Sequence, residues 1–288
     1  MPTTRKIRKA TVPAKAKAKS PATRTSTKPA KTAAAPRVST SKKGESLTLA
    51  EVMSLLEGAG SEQARKTYAR HGATGPMFGV AFGFLGKLWK RIRFNHDLAL
   101  KLWKTGNVDA RNLAMKIADA SLITSAELDQ WALENPMRMC GLYIASLAQE
   151  SGQGAAKAKA WLASSNDKLR ATGWAVIGVL SNRDETEPDE TFAKHLATIE
   201  KSIHSEANEV KAAMNGALIA IGGRSPALRK TATSAAKRIG KVEVDHGPTA
   251  CETPDATSYI EKMWAYPQGR FPSPAAAERS RDSMRTRC

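Results

Sequence analysis

Several motifs that mark enzymes are missing from this chain of 288 residues. It has no GxxxxGK[ST] phosphate loop and no GxSxG nucleophile elbow, so nucleotide hydrolysis and serine hydrolase chemistry lack support. The sequence contains no run of 18 or more apolar residues, so it predicts no membrane-spanning helix. Cys140, Cys251 and Cys288 are odd in number and far apart, which excludes a disulfide framework and favours free thiols in a reducing compartment. We expect a cytoplasmic protein, or a nuclear one in a eukaryote.

Acidic residues are scarce, and their scarcity is local. The chain has 45 Lys and Arg against 27 Asp and Glu, a formal net charge of +18. Residues 1–45 hold 13 basic residues and one acidic residue, whereas residues 46–266 hold 27 and 24. The composition predicts three parts: a disordered basic tail (1–45), a folded domain (46–264) and a flexible C-terminal tail (265–288).

The N-terminal tail is rich in Lys, Ala, Pro, Ser and Thr and contains no aromatic residue. Such a segment has too few large apolar side chains to offset the entropy of ordering. Its charge favours sequence-independent binding to phosphates by counterion release. Two other interpretations stay open: a solubilising extension and an organelle transit peptide. The prolines weaken the second, because they would break the amphipathic helix that a transit peptide forms.

From Ser46 onwards the pattern is helical. Thr48 and Glu51 have the spacing of a capping box, and Ser61 and Gly72 are placed to open and close a second helix. Further segments of about ten residues follow, each with a cap or a breaker, and the only candidate strand is Lys241 to Val244. Periodicity predicts an all-α fold, and short amphipathic helices at this spacing are typical of stacked helical hairpins, an α-solenoid.

The stretch from Asn208 to Tyr259 carries the clearest local signals. Apolar residues at helical spacing predict a helix that Gly222 and Gly223 end by taking a positive φ. The following irregular segment ends in Thr253-Pro254-Asp255, which predicts a helix start with Thr253 as the N-cap and Asp255 in the first turn. A loop of this length between helices is often functional or tightly packed.

Five residues of this loop could ligate a metal: Asp245, His246, Cys251, Glu252 and Asp255. A zinc site needs about four ligands in a recognised Cys and His spacing, and one His and one Cys do not provide it. We therefore expect no metal and no other cofactor. A hydrogen-bonded clamp involving Asp245 and His246 is the simpler interpretation.

Long strings of the sequence resemble the DNA alkylation repair family of HEAT-like glycosylases. At the C-terminal end they are AMNGALIAIG (213–222), IGKVEVDHG (239–247) and CETPDATSYI (251–260); upstream they are YARHGATGPMFGV (68–80) and HDLALKLWKTGNVDARNLAMKIAD (96–119). The resemblance covers about residues 46–264 and implies a HEAT-like solenoid. It also marks the residues of a family signature loop, namely Asp245, His246, Cys251, Thr253 and Asp255.

The resemblance implies excision of N3- or N7-alkylated purines. Those enzymes hold a carboxylate beside the sugar, where positive charge develops, in a W-x-x-x-D arrangement with nearby tryptophans. By order along the chain the motif falls at residues 136–143, which read PMRMCGLY and supply neither Trp nor Asp. Trp131 to Asn135 has the spacing but ends in an amide, and a further expected tryptophan corresponds to Gly216. Possible stand-in carboxylates are Asp119, Asp129 and Glu134.

DNA-binding residues are expected on helix faces. The resemblance places Arg170 against the DNA backbone, and one turn of helix carries Lys87, Lys90 and Arg91, with Lys101 and Lys104 on the next helix. Trp131 and Trp174 could stack on bases. The alternatives are a solvated charged surface for the cations and core packing for the tryptophans.

These observations lead to three hypotheses. The first is a monomeric protein that binds alkylated or damaged double-stranded DNA, for which the resemblance implies excision of alkylpurines but the residues at the expected motif do not support it. The second is a non-catalytic relative that recognises DNA structure. The third is a protein-interaction scaffold whose basic tail alone touches nucleic acid.

Overall fold

A computed structural model describes residues 44–184, 186–265 and 285–286. Residues 1–43 of the predicted N-terminal tail and most of the segment after α13 lie outside these residues. The described residues contain 13 α-helices, confirming the all-α prediction. In chain order they are α1 (Leu49–Gly58), α2 (Glu62–Arg70), α3 (Phe82–Ile92), α4 (His96–Lys104), α5 (Val108–Ile117), α6 (Ser125–Leu133), α7 (Gly141–Glu150), α8 (Gly154–Leu162), α9 (Asp167–Arg183), α10 (Asp189–Ser202), α11 (Asn208–Gly222), α12 (Pro226–Ile239) and α13 (Ala256–Ala265).

Helix starts follow the capping signals of the sequence. Thr48 and Glu51 form the predicted capping box at α1, and Ser61 caps α2 by accepting the Ala64 N–H at 3.2 Å. A second capping box, Thr124 with Glu127, opens α6. Each cap satisfies backbone N–H groups that the first turn of a helix leaves unpaired.

Stacked helix pairs build one continuous core. α4 packs on α5, α8 on α9, α9 on α11, and α10 and α11 on α12. The core is apolar, and at its N-terminal half the indoles of Trp103 and Trp131 stack with centroids 4.2 Å apart. Neither helix of such a pair could bury its apolar face alone, which is why the pairs stack in sequence. No helix of the described residues is long and apolar enough to span a membrane.

Three local predictions need correction. Asp255, not Thr253, accepts the first-turn N–H of α13, from Ser258 at 2.8 Å. Gly222 and Gly223 end α11 without a positive φ; Gly222 is needed because a Cβ there would lie 2.5 Å from the Ile260 side chain of α13. Lys241 to Val244 has no regular secondary structure and pairs with no strand in the described part of the chain.

Candidate nucleic-acid interface

Three helices begin at one open cavity of about 780 Å³. The first residues of α7, α9 and α11 line it, and the segment after α2, which includes His71, borders it. α7 continues from a 3-10 turn, Arg138–Cys140, whose first carbonyl accepts the Gly141 N–H, and neither this turn nor α11 has a side-chain cap. The N-terminal end of a helix carries a partial positive charge and backbone N–H groups directed outward. Their convergence makes this cavity favourable for anionic groups such as phosphates.

Two exposed cations stand at the cavity. The Arg138 side chain makes no hydrogen bond and no ion pair with any other described residue. The Lys168 amino group lies 3.5 Å from the Leu133 carbonyl oxygen and is otherwise exposed to solvent. Both side chains are therefore available to an incoming ligand.

Glu209 is the opposing charge in the cavity. Its carboxylate is half-buried and makes no hydrogen bond or ion pair within the described residues. Burial raises the pKa of Glu209 above its ordinary value; Lys168 and Arg138 act to lower it and Asp167 to raise it. Asp167 itself is paired with Arg170 at 2.7 Å. The sequence analysis did not identify Glu209, because its surroundings come from three separate helices.

Replacing Glu209 with glutamine is expected to stabilise the protein at neutral pH. A carboxyl whose pKa is raised by folding destabilises the native state once pH exceeds that pKa, and costs nothing when protonated in both states. The Glu209→Gln variant should therefore melt at a higher temperature than the wild type at pH 7 and at the same temperature well below pH 4.5. Thermal denaturation at both pH values checks this, with Glu190→Gln as an exposed control. A gain that persists in acid would contradict it.

Residues 136–143, where the resemblance places the excision motif, line the same cavity but contribute no acid. Met139 projects into it with half of its surface exposed, while Cys140 is buried and burial raises the pKa of its thiol. At Gly216 a side chain would meet open space, so nothing replaces the expected tryptophan.

The proposed stand-in carboxylates are held elsewhere, and none lines the cavity. Asp129 pairs with Lys157 at 2.6 Å and accepts the Trp161 indole N–H. Glu134 pairs with Arg111 at 2.7 Å and accepts the Trp103 indole N–H. Asp119 accepts the N–H and hydroxyl of Ser121. Their contacts account for these carboxylates as structural groups, so the geometry gives no support for them as catalytic candidates.

The predicted DNA-binding residues divide into three groups. Lys87, Lys90, Lys101 and Lys104 are exposed and unpaired within the described residues, but they do not line the cavity. Arg91 is paired with Glu45, and Arg170 with Asp167 and Glu206. The prediction that Trp131 and Trp174 could stack on bases needs correction, because these side chains are 0% and 4% exposed and offer no face to a base.

The signature loop is fastened by its own side chains. His246 Nε2 lies 3.0 Å from the Thr253 hydroxyl, and the Asp245 carboxylate accepts the Gly247 N–H at 2.7 Å. Asn208, at the start of α11, exchanges two hydrogen bonds with the Asp245 backbone. The observed bonds match a clamp, and no group of metal-binding side chains is found in the described part of the chain.

This loop also borders the cavity region. His246 and the exposed Cys251 line a smaller cavity of about 400 Å³, together with His71 and Arg138. The loop thus places the C-terminal part of the domain beside the end of α2.

Comparison with known proteins gives the family. The model of the DNA alkylation repair enzyme family matches residues 52–260. The uncharacterized proteins Lmo0209 of Listeria monocytogenes and Lin0241 of Listeria innocua are 29% and 28% identical over 223 residues, which cover 75% of this chain and 97% of each relative.

A solved structure is also similar, with a TM-score of 0.69 and 29% identity over 75% of this chain and 93% of that one. It is described as a new family related to the HEAT-like repeat DNA glycosylases, with affinity for branched DNA structures. The α-solenoid of this chain is therefore HEAT-like. The chain belongs to the DNA alkylation repair enzyme family.

Proposed function

We propose that the protein binds branched DNA at the cavity formed by the starts of α7, α9 and α11, without excising bases. The observation that carries the proposal is the unpaired, exposed Arg138 beside these three helix starts. Phosphate groups are bound by such combinations of guanidinium and helix N-termini. Membership of the DNA alkylation repair family and the affinity of a similar protein for branched DNA support it.

The size of the cavity favours a branch point over an intact duplex. A volume of about 780 Å³ lies within the range of small-ligand sites, about 300–1,000 Å³, and suits a single unstacked nucleotide. A branch point offers unstacked nucleotides that could enter it, with Met139 as an apolar contact for a base and Arg138 and Lys168 for its phosphate. Lys87, Lys90, Lys101 and Lys104 are proposed to contact the flanking duplex arms.

Base excision is the second candidate, and one observation favours it. Glu209 brings a carboxylate into the cavity from a different helix than the expected motif. A carboxylate there could stabilise an oxocarbenium ion if the lesion were placed beside it. Two observations weigh against this role. Burial raises the pKa of Glu209 and so disfavours the charged form that the role needs, and Glu209 lies outside residues 136–143, where the resemblance places the carboxylate.

The test compares binding of the full chain to a four-way junction and to linear duplex of the same arm sequence. We expect the junction to bind more tightly. The Arg138→Ala variant should lose about tenfold in junction affinity, the worth of one charge-assisted hydrogen bond. The slope of log K against log salt should become shallower by about 1, because one phosphate contact is lost. Titrations by fluorescence anisotropy at several salt concentrations measure both.

Two matched variants sharpen the result. Lys159→Ala removes an exposed cation that lines none of the cavities described above, and it should bind as the wild type does. Glu209→Gln should bind more tightly, since it removes a negative charge from the phosphate site. Equal binding by the wild type and Arg138→Ala would reject the cavity and favour binding by the basic tail alone. Incubation with DNA carrying N7-methylguanine and N3-methyladenine completes the test, because base release above the spontaneous rate would reject the non-catalytic proposal.

A further inference from the structure

The side chain of Arg285 is buried in the solenoid, although it follows a segment whose composition predicts flexibility. It is 1% exposed. Its guanidinium donates to the carbonyl oxygens of Met115, Lys116 and Ala118 at 2.8–3.0 Å and to the Glu150 carboxylate at 2.7 and 2.9 Å. The prediction of a flexible tail does not hold for this residue.

The surroundings of Arg285 match a guanidinium in shape and charge. The three carbonyls belong to the C-terminal end of α5, where the last backbone acceptors of a helix lack intrahelical partners and carry partial negative charge. Glu150, at the end of α7, supplies a full negative charge, and the Phe94 ring lies 5.3 Å from the guanidinium carbon. The planar guanidinium reaches both sets of acceptors: the two N–H groups of Nη1 are shared among the three carbonyls, and Nε and Nη2 donate to the carboxylate. The single nitrogen of an ammonium could not do both.

The backbone of residue 285 is held as well. Lys116 is fully buried, and its amino group donates to the Arg285 carbonyl oxygen at 2.9 Å. The same ammonium lies 4.5 Å from the centre of the Tyr143 ring. Residue 285 is therefore held by hydrogen bonds to both its side chain and its main chain.

We propose that the end of α5, Lys116, Glu150 and Phe94 form a guanidinium-binding site, and that its ligand is Arg285 of the same chain. Nineteen residues lie between Ala265, the last of α13, and Arg285, and an extended chain of that length spans about 65 Å, which allows the connection within one molecule. Occupation fastens residue 285 to the C-terminal ends of α5 and α7. Because α7 begins at the DNA cavity and ends at Glu150, the site also braces a wall of that cavity.

Native-state digestion with trypsin tests the proposal on the full chain. The enzyme must bind the arginine side chain, so burial of Arg285 blocks cleavage after it, and the rate follows the population of the undocked state. We expect the Arg285–Thr286 bond to be cut at least about tenfold more slowly in the wild type than in Glu150→Ala. Mass spectrometry of the products measures the rate, and Glu190→Ala serves as an exposed control that should match the wild type.

Phe94→Leu provides a milder variant, because Phe94 is 38% exposed and its loss leaves the core intact. It should accelerate cleavage to an intermediate rate, and it decides the question if circular dichroism shows Glu150→Ala to be unfolded. Equal cleavage rates in the wild type and the folded variants would overturn the site. Protection that weakens when the wild type is diluted would overturn the assignment to the same chain and indicate exchange between two copies.

Discussion

Replacing Asp109 with alanine is expected to lower the free energy of unfolding by about 3–5 kcal/mol. Asp109 is fully buried in the first turn of α5, and its carboxylate accepts the backbone N–H groups of Phe78 at 2.7 Å, Gly79 at 3.0 Å and Val80 at 2.8 Å. Alanine would leave two buried donors and one part-buried donor without an acceptor, at a cost of about 1–3 kcal/mol for each buried donor before relaxation. Urea denaturation followed by circular dichroism measures the loss.

Asp97→Ala is the matched control for this prediction. Asp97 also lies in the first turn of its helix, α4, but it is exposed and accepts no hydrogen bond within the described residues. Its replacement should cost less than about 1 kcal/mol, the worth of a charge near a helix start. A loss of this small size for Asp109→Ala would show that the segment before α3 does not depend on the carboxylate.

Arg224→Ala is expected to destabilise the protein by about 2–4 kcal/mol and to loosen the connection between α9 and α10. The guanidinium is almost entirely buried and donates to the carbonyl oxygens of Ser181, Asp184 and Glu187 at 2.6–2.9 Å and to the Asp189 carboxylate at 2.9 Å. It also lies over the Phe192 ring. Denaturant unfolding measures the change in stability, and amide hydrogen exchange of residues 181–189 measures the loosening.

Arg224→Lys should recover little of this loss, because a single ammonium cannot replace a planar fork that bonds to three carbonyls and a carboxylate. Arg229→Ala is the control, because Arg229 is exposed on α12 and its guanidinium only lies over the Trp264 ring. If lysine restored full stability, charge alone would explain the contribution of Arg224.

The fold could be predicted from sequence wherever one segment determines its own structure. The capping box of Thr48 and Glu51 and the cap at Ser61 depend on residues three positions apart, and these predictions are confirmed. The sequence predicts the end of α11 at Gly222 correctly, but the positive φ on which that prediction depends is not observed. The small size of Gly222 is required by Ile260, which is 38 residues away and invisible to local patterns.

The candidate site was predicted only in part. Order along the chain located residues 136–143, and these do line the cavity. Glu209 could not be predicted, because a glutamate at the start of a helix is ordinary until the turn before α7 and the first turn of α9 bring Arg138 and Lys168 beside it. The burial of Trp131 against Trp103 likewise depends on the stacking of separate helix pairs.

The convergence of three helix starts on one cavity has a consequence for sequence divergence. Its attraction for anions comes largely from peptide dipoles, which every amino acid supplies equally. Substitutions that remove a catalytic acid or a tryptophan from the cavity wall leave this main-chain field in place as long as the helices keep their positions. A lineage can therefore lose the chemistry of base excision in a few mutations and still inherit a surface that attracts nucleic acid, from which a new recognition role can be selected.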